Sequence, residues 1–266
     1  MSAKAWLGGD VTTFAHCIVA NNPSPLTYVG TNTWILGAPG AQGCVVVDPG
    51  PDDADHIERV VAHVKATDRH VAAIVTTHAH ADHAGGVRAL SVLTGAPAFA
   101  RADDTLPIGA FHVPDVGVSL EVLPLPGHSS DSAGIFVAED GSVLTGDMIF
   151  AQSSTMVCWP DGVLADYMES LDALARFVEE KGVERLLTGH GYVIENPSER
   201  IMRARAHRMK RLNQVVAAVR SGIPARAEDI VDAVYNDVDP SLAQGAKRSV
   251  NAQLRYAFDK GLLEEH

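Results

Sequence analysis

A chain of 266 residues, 46% of them hydrophobic, is long enough for one large domain or one domain with an appendage, and can bury an ordinary globular core. Its formal net charge of −12, from 33 acidic against 21 basic residues, argues against long-range attraction of the whole molecule to a polyanion. Three scattered cysteines, Cys17, Cys44 and Cys158, speak against a disulfide framework, and no stretch approaches the ~18 apolar residues of a membrane span, so the sequence predicts a soluble, cytoplasmic protein with reduced thiols and no membrane partner.

In chain order, NTWILG and CVVVDPG read as two short strands separated by a turn. DDADHIERVVAHVKAT then places Ile57, Val60, Val61 and Val64 at helical spacing, predicting a helix with one apolar face on a sheet. The strand VAAIVTT follows, then a polar cluster, then GGVRALSVLTG, a helix closed by Gly95. SLEVLPLPGH and AGIFVAEDGSVLTGD read as strands, ADYMESLDALARFVEEKG as an amphipathic helix ending at Gly182, and VERLLTGHG as a strand. Mixed strands and helices through about residue 200 predict helices covering packed sheets, an α/β or α+β arrangement, over residues 1–200.

Residues 201–266 are helical in pattern. The segment Ile201 to Arg220 is basic and holds no acid. As a helix it is expected to align Met202, Ala206, Met209, Val216 and Val219 on one stripe, leaving a solvated basic face rather than a nucleic-acid contact. Breaks at SGIPARAED and VDPS separate it from a short helix, IVDAVYND, and a long one running to FDKGLLEE.

The polar cluster is IVTTHAHADHAGG, which sets His78, His80, Asp82 and His83 directly after an apolar strand. Imidazole and carboxylate are transition-metal ligands, and a strand end can aim several at one point. A surface turn would ask for Gly, Asn, Ser or Pro instead. Three further apolar runs end in a ligand-type residue beside glycine: LPLPGHSSDS with His128, VLTGDMIF with Asp147 and LLTGHGY with His190. His16, His56, His63, His70, His112 and His207 lack that context and are read as structural.

These motifs, in this order, resemble the metallo-β-lactamase fold superfamily across about residues 25–195. The resemblance implies an αββα sandwich with its site at one edge of two packed sheets. It implies a first metal on His78, His80 and His128 and a second on Asp82, His83 and His190. Asp147 would bridge them, Asp82 and Asp147 would be the catalytic carboxylates, and Asp48 would orient ligands from behind. Two divalent ions, zinc first with iron or manganese as options, would activate a bridging water or hydroxide, so no side-chain nucleophile is required. The serines of HSSDS and QSSTM lack a GxSxG setting. Ser129, Ser130 and Asp131 are read as support for the His128 loop.

NPSPLTYVGTNTWILG, GHGYVIENP and the tail further resemble the branch related to β-lactamase-like protein 2, an endoribonuclease. That branch implies a winged-helix-like C-terminal domain, here 201–266, acting as a lid or as a nucleic-acid contact. A β-lactam substrate is disfavoured, because lactamases with a cysteine ligand place it where this chain has Asp147. Trp34, Thr155, Met156, Trp159, Tyr167 and Tyr192 are candidates for a pocket wall, with core packing as their other role. The expected substrate is a small or carrier-linked ester or thioester. The alternatives are single-stranded RNA as substrate, or a non-catalytic metal-binding regulator, and homo-oligomerisation is left open.

Overall fold

Strands bury alternate side chains on opposite faces, so a sheet covered on both sides reads as unbroken apolar sequence. The computed structural model describes residues 6–235 and 242–264. Its first sheet is ordered β1 (Gly9–Asp10), β2 (Ala15–Val19), β3 (Asn32–Leu36), β4 (Gly43–Val47), β5 (His70–Val75) and β6 (Ala98–Phe99). β1 to β4 pair antiparallel, whereas β5 pairs parallel to β4 after a crossover through helix α1 (Ala54–Ala66). Two more helices, α2 (Ala81–Ala84) and α3 (Val87–Thr94), precede β6. The second sheet contains β7 (Gly109–Phe111), β8 (Leu120–Pro124), β9 (Ala133–Val137), β10 (Ser142–Gly146) and β11 (Arg185–Thr188), with β11 parallel to β10 after helix α4 (Leu164–Lys181). Helices α5 (Pro197–Arg220), α6 (Ala227–Val234) and α7 (Ala243–Asp259) complete the described chain.

Trp34, Leu36, Val45, Val47 and Val75 of the first sheet meet Val122, Ile135, Val137, Leu144 and Leu187 of the second in one core. Their strand neighbours Ile35, Val46 and Ile74 face outward onto Ile57, Val60 and Val64 of α1 and Leu90 of α3. On the far side Phe136, Val143 and Leu186 face Leu171, Leu174 and Val178 of α4 and Ile201 and Ala204 of α5. The layers are therefore helix, sheet, sheet, helix, as expected. Asp53 caps α1 by accepting from the Asp55 amide at 3.0 Å, while Gly95 (φ +72°) and Gly182 (φ +65°) end α3 and α4 in the left-handed conformation.

The tail departs from expectation in detail. α5 begins at Pro197 and buries Ile201, Ala204, Arg208, Leu212, Val215 and Val216, while Met202 is 65% exposed and Ala206 is exposed. The stripe is offset because Arg208 belongs to the buried face, its guanidinium lying 5.0 Å over the Tyr167 ring. The other arginines fan out around the helix. Arg203 pairs with Glu199 (2.6 Å) and Arg205 with Asp172 (2.7 Å), and Arg211 donates to Val234 O (3.3 Å). α5, α6 and α7 share a satellite core of Leu212, Val215, Ile230, Val250, Leu254 and Ala257. Among the described residues this tail holds helices and no strand that could form a wing. The expected break at VDPS lies outside the described residues. No described helix is long and apolar enough to cross a membrane.

Candidate metal centre

Asp48 follows β4, His78 follows β5, Asp147 follows β10 and His190 follows β11, so the strands of both sheets deliver polar side chains to one edge of the sandwich. His128 comes from the β8–β9 loop, and the single turn α2 carries Asp82 and His83. Backbone crowding there excludes side chains. A Cβ at Gly189 would stand 2.5 Å from Asp147 Oδ1 and 2.7 Å from His83 Cε1.

Three overlapping groups result: His78, His80 and His128; His78, His83 and Asp147; and Asp82, His83 and His190. Within each group the nearest ligand atoms all lie within 4.8 Å of one another. His80 Nδ1 is 3.1 Å from both His78 Nε2 and His128 Nε2, and His83 Nε2 is 3.3 Å from His190 Nε2. Asp147 Oδ1 approaches His83 Nε2 at 3.2 Å and His190 Nε2 at 3.4 Å, and Asp82 Oδ2 lies 3.3 Å from His190 Nε2.

The opposite ring nitrogens reveal what this cluster is suited to hold. His83 Nδ1–H donates to Asp48 Oδ2 (2.8 Å), His128 Nδ1–H to Met156 O (2.8 Å), His190 Nδ1–H to Gly30 O (3.3 Å) and His80 Nε2–H to Asp161 Oδ2 (3.1 Å). Thr77 Oγ1 donates to Asp48 Oδ2 (2.7 Å), so it accepts from His78 Nδ1–H (3.0 Å). A neutral imidazole whose outer nitrogen carries the proton must present a lone pair at the inner one. Five lone pairs and two carboxylates therefore converge, with Asp147 Oδ1 buried and lacking a hydrogen-bond partner. That donor set fits divalent cations and would be poorly satisfied without positive charge.

The electrostatics agree. Burial resists charge at His83, yet the Asp147 and Asp48 carboxylates hold its imidazolium well above the usual histidine range. At His190 burial is likewise outweighed, chiefly by Asp147, and the pKa rises to about 9. Burial also works against ionised Asp147, but His190 and His83 hold its carboxyl well below the ordinary range. His78 and His128 are instead pushed down, first by burial. The field at Asp147 thus attracts protons onto His83 and His190, or a cation in their place.

Asp48 forms the bracket behind the centre. It is 1% exposed, adopts φ +52°, and also accepts from the Thr77 amide at 2.7 Å. The histidines read as structural lie elsewhere: His16 stacks on His63 (3.8 Å), and burial holds His56, bonded to Thr33, down at about 4. Two residues at the centre escaped the sequence reading. Asp161, which orients His80 and accepts from the Ser130 amide (3.3 Å), sits in a Pro-Asp-Gly stretch that reads only as a turn. Tyr28 (φ +56°) sets its ring edge-on to Phe150 at 6.0 Å with its hydroxyl bonded to Ser153, and nothing local marks it apart from other loop residues.

A cleft of about 660 Å³ opens over the centre, walled by Leu26, Tyr28, Phe150, Met156, Trp159 and Leu242. Of the expected wall residues, Met156 and Trp159 are present. Trp34 and Tyr167 are core instead, their polar tips donating to Thr188 O and Met148 O. Thr155 is buried and donates to Asp147 O (2.7 Å), and Tyr192 lies against Trp6.

The profile of the "Metallo-beta-lactamase superfamily" matches residues 26–115 and 95–190. A "Beta-lactamase-like protein 2 homolog" of Caenorhabditis elegans is 28% identical over 264 residues, covering 93% of this chain and 85% of that protein. An "Atrochrysone carboxyl ACP thioesterase" of Passalora fulva is 29% identical over 213 residues, covering 77% of this chain and 61% of its own length. Among solved structures, a metallo-beta-lactamase family protein of Thermus thermophilus superposes with a TM-score of 0.78 at 22% identity, over 95% of each chain. A beta-lactamase domain protein from Burkholderia ambifaria gives 0.76 at 19% identity, over 98% of this chain and 91% of that one.

Proposed function

The chain belongs to the metallo-β-lactamase superfamily, a hydrolase family, and from that premise we propose that it is a dinuclear metal-dependent hydrolase of small or carrier-linked acyl thioesters and esters. The observation that carries the substrate class is the cleft wall, which is apolar and aromatic around the converging ligands. The fungal relatives named as ACP thioesterases lend support.

His78, His80 and His128 would hold one ion, Asp82, His83 and His190 the other, and Asp147 would contact both, with zinc as the first candidate. Bound there, divalent ions supply a lowered pKa for water and stabilise negative charge on the attacked carbonyl. The chain's own residues fix the lone pairs, keep bulk water from the buried side and align the acyl group along Phe150 and Trp159. Tyr28 stays neutral beside the Ser153 hydroxyl, because burial raises its phenol. A thiolate, with a reference pKa of ~8.5, leaves without a placed acid. An RNA alkoxide would need one, together with a track of cations and stacking aromatics, whereas the arginines of α5 are engaged elsewhere.

The test compares pentanoyl-pantetheine with single-stranded RNA after reconstitution with zinc, iron or manganese. Metal-dependent thioester cleavage with RNA left intact is expected. Efficient, salt-sensitive RNA cleavage without thioesterase activity would overturn the substrate class.

A further inference from the structure

We infer that Arg248 is the specificity residue of this cleft and that the substrate carries an anionic group, a carboxylate or a phosphate, a short distance from its scissile acyl bond. The inference rests on the thioesterase reading above and deepens it.

Arg248 is the one lysine or arginine among the described residues lining the cleft. Asp82, Asp147 and Asp161 line it too, but each already faces an imidazole. Arg248 itself makes no hydrogen bond, ion pair or ring contact among the described residues. That sets it apart from every other arginine between α5 and α7. Arg200 donates to Phe150 O and Ser153 O, Arg220 to Leu262 O, Arg226 pairs with Asp229, and Arg255 pairs with Asp259. The four arginines from 203 to 211 hold the partners already described. What singles out Arg248 is its place, as the arginine that borders the metal-binding cleft with its guanidinium uncommitted among the described residues.

The helix that carries exposed Arg248 is packed against the cleft. A Cβ at Gly245 would lie 1.8 Å from Met156 Cε, so the first turn of α7 rests directly on the loop that supplies the cleft wall. Arg248 follows three residues later on the same helix face. Its charge reaches the Cys158 thiol below, where it opposes the burial that raises that group. The guanidinium fork can donate two parallel hydrogen bonds to a carboxylate or phosphate at the exposed mouth of the cleft. An amphipathic substrate follows: an apolar acyl body against Leu26, Phe150 and Trp159, and a negative group at the α7 side.

The anion has two possible locations in a carrier-linked thioester, the acyl part or the thiol part, and three compounds distinguish them. Pentanoyl-pantetheine is neutral, glutaryl-pantetheine carries a carboxylate on the acyl side, and pentanoyl-4′-phosphopantetheine carries a phosphate on the leaving side. Wild type is expected to favour one anionic compound over the neutral one by about tenfold in kcat/KM, the equivalent of one charge-assisted pair. In Arg248→Met the ratio should fall to near one, and in Arg248→Glu it should invert. Because each ratio is taken within one protein, partial unfolding of a variant cancels. Calorimetric binding of the non-hydrolysable thioether analogues to the same three proteins should give the same ratios. Equal ratios in wild type and both variants, in binding and turnover alike, would overturn the role of Arg248. Arg248-dependent binding without any thioester cleavage would uphold it while removing the hydrolase substrate reading.

Discussion

Two stretches of this chain gather polar residues of one kind, HAHADH at the end of β5 and RARAHRMKR within α5, and the fold uses them in opposite ways. The histidines lie in a tight turn after a buried strand, where the backbone doubles back and side chains a few residues apart can point at one centre. The arginines lie on a regular helix, where successive residues turn by about 100° and close neighbours face different surroundings. Arg203, Arg205, Arg208 and Arg211 thus meet Glu199, Asp172, Tyr167 and Val234 O in turn. A run of like residues becomes a site only when its secondary structure focuses it.

The largest effect should come from the point where that focusing is strongest. Asp147 is the carboxylate that faces His83, His190 and His128 together. Asp147→Ala is expected to lower kcat/KM for the thioester by at least about a thousandfold and to reduce bound metal from near two equivalents per chain. His16→Ala and His207→Ala, outside the centre, should stay within a few-fold of wild type. Elemental analysis beside steady-state kinetics checks all three. Equal losses would mean that folding, rather than the metal centre, had been damaged.

Asp161 tests how far the focusing extends beyond the ligands. Asp161→Leu removes the acceptor that keeps the proton on His80 Nε2 while keeping a side chain of similar size. Metal affinity at the three-histidine group should weaken by about 10- to 100-fold, the usual cost of losing a ligand's outer partner. Competition with a chromophoric chelator measures it without reference to turnover. An unchanged affinity would mean that the His80 tautomer is set by other contacts.

The same contrast explains what could be read in advance. The inner strands β3, β4, β5 and β8 to β11 and helices α1, α3 and α4 are legible because unbroken apolar runs or helical apolar spacing dictate burial, as at Val45 to Val47 and at Ile57, Val60 and Val64, whereas β1, β2, β6 and β7, at or near the sheet edges, carry no such signal. The convergence of His128, Asp147 and His190 with the local cluster was anticipated from strand ends beside glycine and from family resemblance. Asp161 and Tyr28 were not, because their roles depend on loops whose path is set by distant contacts, His80 for one and Phe150 with Ser153 for the other. The α5 stripe was misplaced for a related reason. Apolarity alone ranked Met202 above Arg208, whereas an aromatic partner on α4 allows a guanidinium to be buried and leaves the methionine outside.

That inversion gives the smallest and most discriminating test of the comparison. Arg208 is 9% exposed and one of its terminal nitrogens is buried without a partner, so its stem and its stacking on Tyr167 stabilise the fold more than its charge does. Arg208→Ala should destabilise the protein by about 2 kcal/mol through lost packing, whereas Arg208→Met, which fills the same channel without a buried charge, should recover most of that. Arg203→Ala breaks a largely exposed pair with Glu199 and should change stability by no more than about 0.5 kcal/mol. Urea midpoints of the three variants provide the measurement. If Arg203→Ala cost as much as Arg208→Ala, or if Arg208→Met were no better than alanine, the arginines of α5 would be acting as one charged surface after all, and the contrast with the histidine cluster would fail.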